Sequence, residues 1–527
     1  MKVVTAAQMQ ALDRETIQGV GIPGVVLMEN AGREAAKLIL EHFPDASSKG
    51  VAVLAGRGNN GGDGFVIARY LRGQGKRTKV YLFAPREKVG GDARVNLEVW
   101  LRIGGELEEI TSEEGFLRVK GEIAEAGLIV DALLGTGLSS EVRGLLREAI
   151  EFVNGLKKPV VAVDIPSGLD ASTGKVLGTA IRASLTPTFG LAKLGQVISP
   201  GAELVGRLEV IDIGIPPSLV ERAGIKTHLL GPEELSPRIF ASRPPESHKG
   251  TYGHLLVVAG SPGKTGAAAM VAEGALRMGA GLVTVAIPQS LNPILEVKLT
   301  EAMTEPVPEE EGFLCSDSLP SLLSLLEGKS AIALGPGIGT GEGVKEVILE
   351  FLRKANLPLV IDADGLNVLS SHPQTLREIK VPFILTPHPG EMARLVGLGT
   401  AEVQERRIEV AREVAGEYRC VVVLKGNRTV VASPEGEIFI NPTGNPGMAS
   451  GGMGDVLTGM IGGLLAQGHP PLEAAKAAVY LHGLSGDLGA RELGELPLLA
   501  TDLLEFLPLA LKEVTSGVGA HLPLEES

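Results

Sequence analysis

Short apolar runs that lack polar alternation, each closed by a glycine or an aspartate, recur along the chain. Val51–Ala55 runs into the glycine-rich Gly56–Gly64, and Thr78–Phe83 follows. Leu128–Leu134 carries Asp131 and runs into Gly135, Pro159–Asp164 runs into Ile165–Asp170, and Leu208–Ile213 comes last. A strand that is apolar on both faces must be covered on both faces. These runs therefore predict a mostly parallel sheet sandwiched by helices, with tight turns at the strand ends. Two helices are expected between Thr5 and Glu41, broken at Gly19–Gly24, and another from about Phe65 to Gly73. The fold class expected for this half is α/β, in a Rossmann-like doubly wound layout.

The same grammar restarts beyond a proline-rich break. Ile215-Pro216-Pro217 and Ser242-Arg243-Pro244-Pro245 punctuate residues 214–246. Strands are then expected at Leu255–Ala259, Leu282–Ile287, Ala331–Leu334, Leu359–Asp362, Phe383–Leu385 and Val421–Leu424. Helices are expected at Ala267–Met278, Gly343–Lys354 and Ala401–Glu417, and from Asp455 to Leu511. A chain of 527 residues is too long for one core. The expected division is a domain over 1–220, a linker over 221–246 and a second α/β domain over 247–515.

Composition narrows the partners. Lys+Arg 49 against Asp+Glu 63 leaves a net charge of −14, which disfavours broad binding to nucleic acid or an anionic membrane. Cys315 and Cys420 are the only cysteines, so neither a disulfide framework nor a zinc cluster can form, and a reduced cytoplasm is the simple expectation. The chain opens without an apolar signal core, and no apolar run reaches the roughly 18 residues of a membrane span. Small molecules are the expected partners. A homo-oligomer is expected, though nothing in the sequence specifies it.

Each half carries a glycine-aspartate cluster at a strand-to-helix turn. In the first, Asn59-Asn60-Gly61-Gly62-Asp63-Gly64 offers backbone N–H groups to a phosphate at a helix start. Asp131, the turn Gly135-Thr136-Gly137-Leu138-Ser139-Ser140-Glu141, Asp164 and Ser167 end strands on the same edge. A single such aspartate reads best as a helix cap, but several on one edge point to a site. Oxygen ligands without histidine or cysteine point to a hard cation such as K⁺, Na⁺ or Mg²⁺. In the second half, Asn445–Asp455 leads straight into an expected amphipathic helix, Val456–Gln467, placing Asp455 beside glycine amides. Gly337, His388-Pro389-Gly390-Glu391 and Lys425-Gly426-Asn427-Arg428-Thr429 follow other strands. Gly263-Lys264-Thr265 is not a phosphate loop of the GxxxxGK[ST] type, because Val258 stands where its first glycine belongs.

Met28-Glu29-Asn30-Ala31-Gly32, Gly58–Gly64, Asp164-Ile165-Pro166-Ser167-Gly168 and Thr188–Lys193 occur in an order that resembles the NAD(P)H-hydrate epimerase family. The resemblance covers about residues 1–220. It implies that Asn59, Asn60, Gly61, Gly62 and Asp63 hold substrate phosphates, and that Gly135–Glu141 and Asp164 contact the substrate. It implies K⁺ on Asn60, Asp131 and Ser167, with Asp164 as the acid/base that lets C6 of the hydrated ring change configuration. His248-Lys249-Gly250, Thr386–Glu391 and Asn445–Asp455 resemble the ADP/ATP-dependent NAD(P)H-hydrate dehydratases, within the ribokinase-like superfamily. That resemblance covers about residues 230–515. It implies substrate contacts at Ala267, Gly337, His388 and Asp455, with Asp455 catalytic. It also implies nucleotide contacts at Lys425, Gly426, Asn427, Arg428, Thr429 and Gly454, with ADP as co-substrate alongside Mg²⁺. The competing expectation is a ribokinase-like vitamin-precursor kinase with a non-catalytic N-terminal binding domain.

Overall fold

The computed structural model describes residues 1–516, and the chain divides at Ile225/Lys226 into two compact units. In the N-terminal unit the strands are β1 (Val51–Ala55), β2 (Thr78–Leu82), β3 (Glu106–Glu109), β4 (Leu128–Ala132), β5 (Val160–Ala162), β6 (Leu185–Phe189) and β7 (Arg207–Ile211). They form one sheet in the order β3-β2-β1-β4-β5-β6-β7, every pair parallel. This is the doubly wound order, with the topological switch between β1 and β4. Every residue of β1 and β4 is buried, as the apolar runs require. The edge strand β3, Glu106-Leu107-Glu108-Glu109, was not foreseen because it is polar and mostly exposed.

Thr5 opens α1 (Ala6–Arg14) with a capping box, its Oγ1 accepting from Gln8 N while Gln8 Oε1 accepts from Thr5 N. The helix continues as a π-turn over Glu15–Val20 and stops at Gly21, with φ +89°. The next helix, α2, spans Gly24–His42. The glycine cluster after β1 is not a loop that precedes a helix. It is the first turn of α3 (Asn59–Gly73), which starts six residues earlier than the pattern implied.

In the C-terminal unit the strands are β8 (Thr227–Leu229), β9 (His254–Val258), β10 (Leu282–Pro288), β11 (Met303–Val307), β12 (Ala331–Leu334), β13 (Leu359–Ile361), β14 (Phe383–Leu385), β15 (Val421–Leu424), β16 (Val430–Ala432) and β17 (Ile438–Ile440). They form one ten-stranded sheet in the order β8-β17-β16-β15-β14-β13-β12-β9-β10-β11. Only the pairs β15/β16 and β16/β17 are antiparallel. Strand β8 lies within the stretch expected as linker. It pairs in parallel with β17, so those residues belong to the second sheet. Ala401–Glu417 is two helices rather than one, and the second, α6, spans Arg407–Tyr418. Among the described residues no helix is long and apolar enough to cross a membrane.

Two helices on this sheet, α4 (Thr265–Arg277) and α7 (Met453–Ala466), approach each other through glycines. A Cβ on Gly459 would stand 2.1 Å from the Val271 carbonyl oxygen, and one on Gly463 2.7 Å from that of Ala275. This contact fixes where the N-terminus of α7 points. Gly459→Ala is expected to lower the melting temperature by an overpacking cost of about 1–3 kcal/mol. Gly416→Ala, on an open face of α6, should leave it unchanged or raise it. Thermal melts followed by circular dichroism check both.

Candidate active sites

In the N-terminal unit, the turns after β1 and β4 meet at the switch point. Gly56 N donates to Ala132 O at 2.9 Å, and Asn60 Nδ2 donates to Leu134 O at 2.8 Å. Beside them lies a cavity of about 740 Å³, lined by Asn59, Asn60, Asp63, residues 135–140, Asp164 and Lys193, and by Asp13 on α1. Gly61 and Gly62 share the turn but serve packing: a Cβ on Gly61 would sit 2.0 Å from Gly56 O, and one on Gly62 2.7 Å from Met28 Sδ. Glu141 is not part of the lining, and its carboxylate pairs with Arg143 at 3.0 Å.

Asp164 sits at φ +64°, a conformation a non-glycine residue holds only when its surroundings fix it. Its Oδ1 accepts from Lys193 Nζ at 2.5 Å, Phe189 N at 2.9 Å and Thr188 Oγ1 at 3.3 Å. Lys193 is 1% exposed and also donates to Phe189 O. Beneath the cavity, Asp131 is fully buried. It accepts from Ser167 Oγ at 2.6 Å, Ser167 N at 2.8 Å and Leu133 N at 3.3 Å. Burial pushes Asp131 up to about 6 despite these donors. Asn60 Oδ1 is buried without a hydrogen-bond partner. Burial and then Asp164 push Asp13 up to about 6, against Lys193, and the same causes hold Asp63 well above the carboxylate range.

In the C-terminal unit the switch lies between β9 and β12, and the turns that follow them touch. A Cβ on Gly337 would stand 2.9 Å from Lys264 Cβ and 3.4 Å from Ala267 Cβ. Along the same edge, Asp362 follows β13, His388 follows β14 and Lys425 follows β15. Asp362 is 1% exposed. It pairs with Lys425 Nζ at 2.5 Å and accepts from Thr458 Oγ1 of α7 at 2.7 Å. Gly454 lies close to this pair: a Cβ there would stand 3.2 Å from Lys425 Nζ and 3.6 Å from Asp362 Oδ2. Burial opposes the charge on Lys425, but Asp362, Glu391 and Asp455 outweigh it and raise its pKa.

Asp455 lies in the first turn of α7, and among the described residues no hydrogen bond ties its carboxylate to that helix. Burial, then Asp362, pushes it up to about 6, with Lys425 pulling the other way. His388 caps α5 (Pro389–Val396): its Nδ1 accepts from Gly390 N at 3.0 Å and Glu391 N at 3.3 Å. Residues 425–429 form the hairpin turn between β15 and β16. Arg407 donates to Lys425 O at 3.2 Å beneath it, Thr429 Oγ1 donates to Gly426 O at 2.9 Å, Arg428 donates to Pro442 O at 3.2 Å, and Asn427 is exposed.

Comparison with known proteins decides the family. A family model described as NAD(P)H-hydrate dehydratase matches residues 255–509, and one described as YjeF-related protein N-terminus matches 24–195. The bifunctional NAD(P)H-hydrate repair enzyme of Moorella thermoacetica is 45% identical over 98% of both chains. That of Thermofilum pendens is 40% identical over 97% of this chain and 96% of its own. The chain belongs to the bifunctional NAD(P)H-hydrate repair enzymes. A solved ADP/ATP-dependent NAD(P)H-hydrate dehydratase from Bacillus subtilis, co-crystallized with ATP/Mg2+, is 36% identical over 55% of this chain and 98% of its own, with a TM-score of 0.47.

For this repair-enzyme chain, the structure brings together most of the residues singled out from the sequence, in two separate places. The sequence reading left three neighbours without a role: Asp13, Lys193 and Asp362. Only Lys193 and Asp362 had a signal, since each lies within a quoted motif.

The raised pKa of Asp455 has a stability consequence. The folded chain binds that proton more tightly than the unfolded one, whose carboxyl titrates near 3.8. The contribution is therefore complete below that value and is lost as pH rises through about 6. Asp455→Asn, which carries no charge, is expected to melt above wild type at about pH 8, with the gap closing towards about pH 4. Melting curves across that range check the sign.

Proposed function

We propose that the chain repairs hydrated NADH and NADPH at two sites. The N-terminal unit interconverts the R and S hydrates, and the C-terminal unit dehydrates the S hydrate with ADP as phosphoryl donor. Full-length relatives with this activity in their names support the reading, together with an acid-lined crevice at the N-terminal switch point and the buried Asp362, Lys425 and Asp455 cluster of the C-terminal unit. The vitamin-precursor kinase is not favoured, because the similarity runs through both units.

At the N-terminal site the first-turn amides of α3 hold the dinucleotide phosphates, and residues 135–140 form the facing wall. Asp164, oriented by Lys193 and Phe189 N, exchanges the proton at the C6 oxygen. The orphan Asn60 Oδ1, Asp131 and Ser167 form an all-oxygen set that fits K⁺. Bound there, K⁺ would offset the buried charge of Asp131.

At the C-terminal site Asp455 takes the proton of the C6 hydroxyl as its oxygen attacks the terminal phosphorus of ADP and the bond to the AMP oxygen breaks. The amides at the start of α7 and the Lys425 ammonium face the charge that develops. The C6–O bond then breaks with its electron pair leaving on phosphate. The ring-nitrogen lone pair assists, and loss of the C5 proton restores the dihydropyridine. Mg²⁺ brought in with the nucleotide would neutralise charge on its phosphates. In this reading Ala267, Gly337 and His388 contact the ring end of the substrate, and residues 425–429 with Gly454 contact the nucleotide. Self-assembly and a cytoplasmic setting, consistent with two free cysteines, complete the proposal.

The test follows the absorbance of the regenerated reduced ring in a mixture of both epimers. With ADP the whole mixture should recover, and without it none. Asp455→Ala should lower dehydration by about 10²–10⁴-fold and spare epimerisation, while Asp164→Asn should do the reverse and leave the R hydrate unconsumed. Equal loss of both activities from either substitution would overturn the assignment of separate sites.

A further inference from the structure

The N-terminal cavity holds more acid than the reaction above uses. Asp13 on α1, Asp63 on the first turn of α3 and Asp164 after β5 all line it, with Lys193 among them. The two-residue strand Val3–Val4 pairs in parallel with Ala192–Lys193, which brings the start of α1 beside the Lys193 wall. Met9, Asp13 and Ile17, spaced four apart, then all line the cavity, so one face of α1 and its π-turn forms part of the wall. Among the described residues no hydrogen bond or ion pair ties the Asp13 carboxyl, although the helix that carries it is capped by Thr5 and Gln8.

Interconverting two hydrates takes two proton transfers of opposite sense. The C6–O bond breaks with its pair on oxygen, and that oxygen must gain a proton to leave as water. The ring-nitrogen lone pair closes the N1=C6 iminium. Water then adds to the other face, the π pair returns to nitrogen, and the surplus proton leaves the new hydroxyl. Three donors converge on Asp164 Oδ1 and orient the carboxylate, and among the described residues no donor bonds Oδ2, the oxygen left to accept a proton. A proton donor is still needed. Asp63 is the poorer candidate, since it is only 8% exposed, and burial, then Asp164 and Asp13, raise its pKa well above the carboxylate range. Asp13 is only half-buried.

We propose that Asp13 is the second catalytic acid/base of the N-terminal site, giving the C6 oxygen the proton with which it leaves as water while Asp164 receives the proton of the water that returns. The roles exchange when the reaction runs backwards, and solvent carries the proton back between the two carboxyls. The assignment rests on the reading of this cavity as the epimerase site. Electrostatics support it: burial and Asp164 raise Asp13 to about 6, with Lys193 opposing. The charged and titratable groups around this space are Asp63 of α3, Asp164, Lys193, Arg57 and Asp92.

The test separates the two epimers chromatographically without ADP, so that dehydration is silent. Asp13→Asn should lower kcat for epimerisation by at least about 100-fold with little change in KM, and Asp13→Glu should recover part of the loss. In wild type kcat/KM should fall as pH rises past about 6, and the residual rate of Asp13→Asn should lack that limb. A thermal melt of the same variant, followed by circular dichroism, reports whether the N-terminal unit is folded. If it is not, the wild-type pH limb decides: its absence overturns the proposal. An Asp13→Asn rate equal to wild type, or a loss with an unchanged pH profile, also overturns it. Asp164→Asn is run alongside. Loss there with none at Asp13 defeats this inference alone, whereas loss at neither residue defeats the reading of the cavity.

Discussion

A carboxylate at the end of a strand buried on both faces has lost its water, so it must find donors, meet a cation or hold on to a proton. Much of both sites follows from how the chain meets that demand. Asp131 finds Ser167 and the Leu133 amide, Asp164 finds Lys193, and Asp362 finds Lys425 and Thr458. Asp13, Asp63 and Asp455 are left without such a partner, and their protons are held more tightly, as is that of Asp131 despite its donors. Asp131 and Asp362 build the frame, whereas Asp13, Asp63 and Asp164 line the N-terminal cavity where a ligand fits.

The two units reach this arrangement from different topologies. In each, a glycine turn at the switch point brings neighbouring strand ends within touching distance, as Gly135 does against Asn60 and Gly337 against Lys264. Each also carries a non-glycine residue with positive φ after a central strand, Asp164 at +64° and Ala363 at +49°. Both residues are held by the strand ends around them, so the direction of the neighbouring carboxyls is set by the sheet. The C-terminal unit adds one more element: a helix that enters the edge from above, aimed by the glycine contact between α4 and α7.

The fold was legible wherever burial is two-sided, because Val51–Ala55, Ala331–Leu334 and Val421–Leu424 admit little but apolar residues. It was not legible at the edges. Glu106–Glu109 and Thr227–Leu229 are held by neighbouring strands rather than by their own apolarity. The same division runs through the sites. Asp131, Asp164 and Asp455 announce themselves by standing at the close of an apolar run or a glycine cluster. Asp13 stands in an ordinary helical stretch, and only the pairing of Val3–Val4 with Ala192–Lys193 carries that helix to the cavity. Glu141, read as part of a contiguous turn, ends on the surface with Arg143, since a turn's neighbours in sequence need not share its face.

Asn59 to Asp63 being a helical turn, and not a loose segment, changes what an arriving anion must do. A pliable strap would have to be frozen around it, at about 1–2 kcal/mol of backbone freedom for each residue stilled. Here that freedom was surrendered when the polypeptide folded, so affinity for the dinucleotide is not taxed by ordering at the moment of capture.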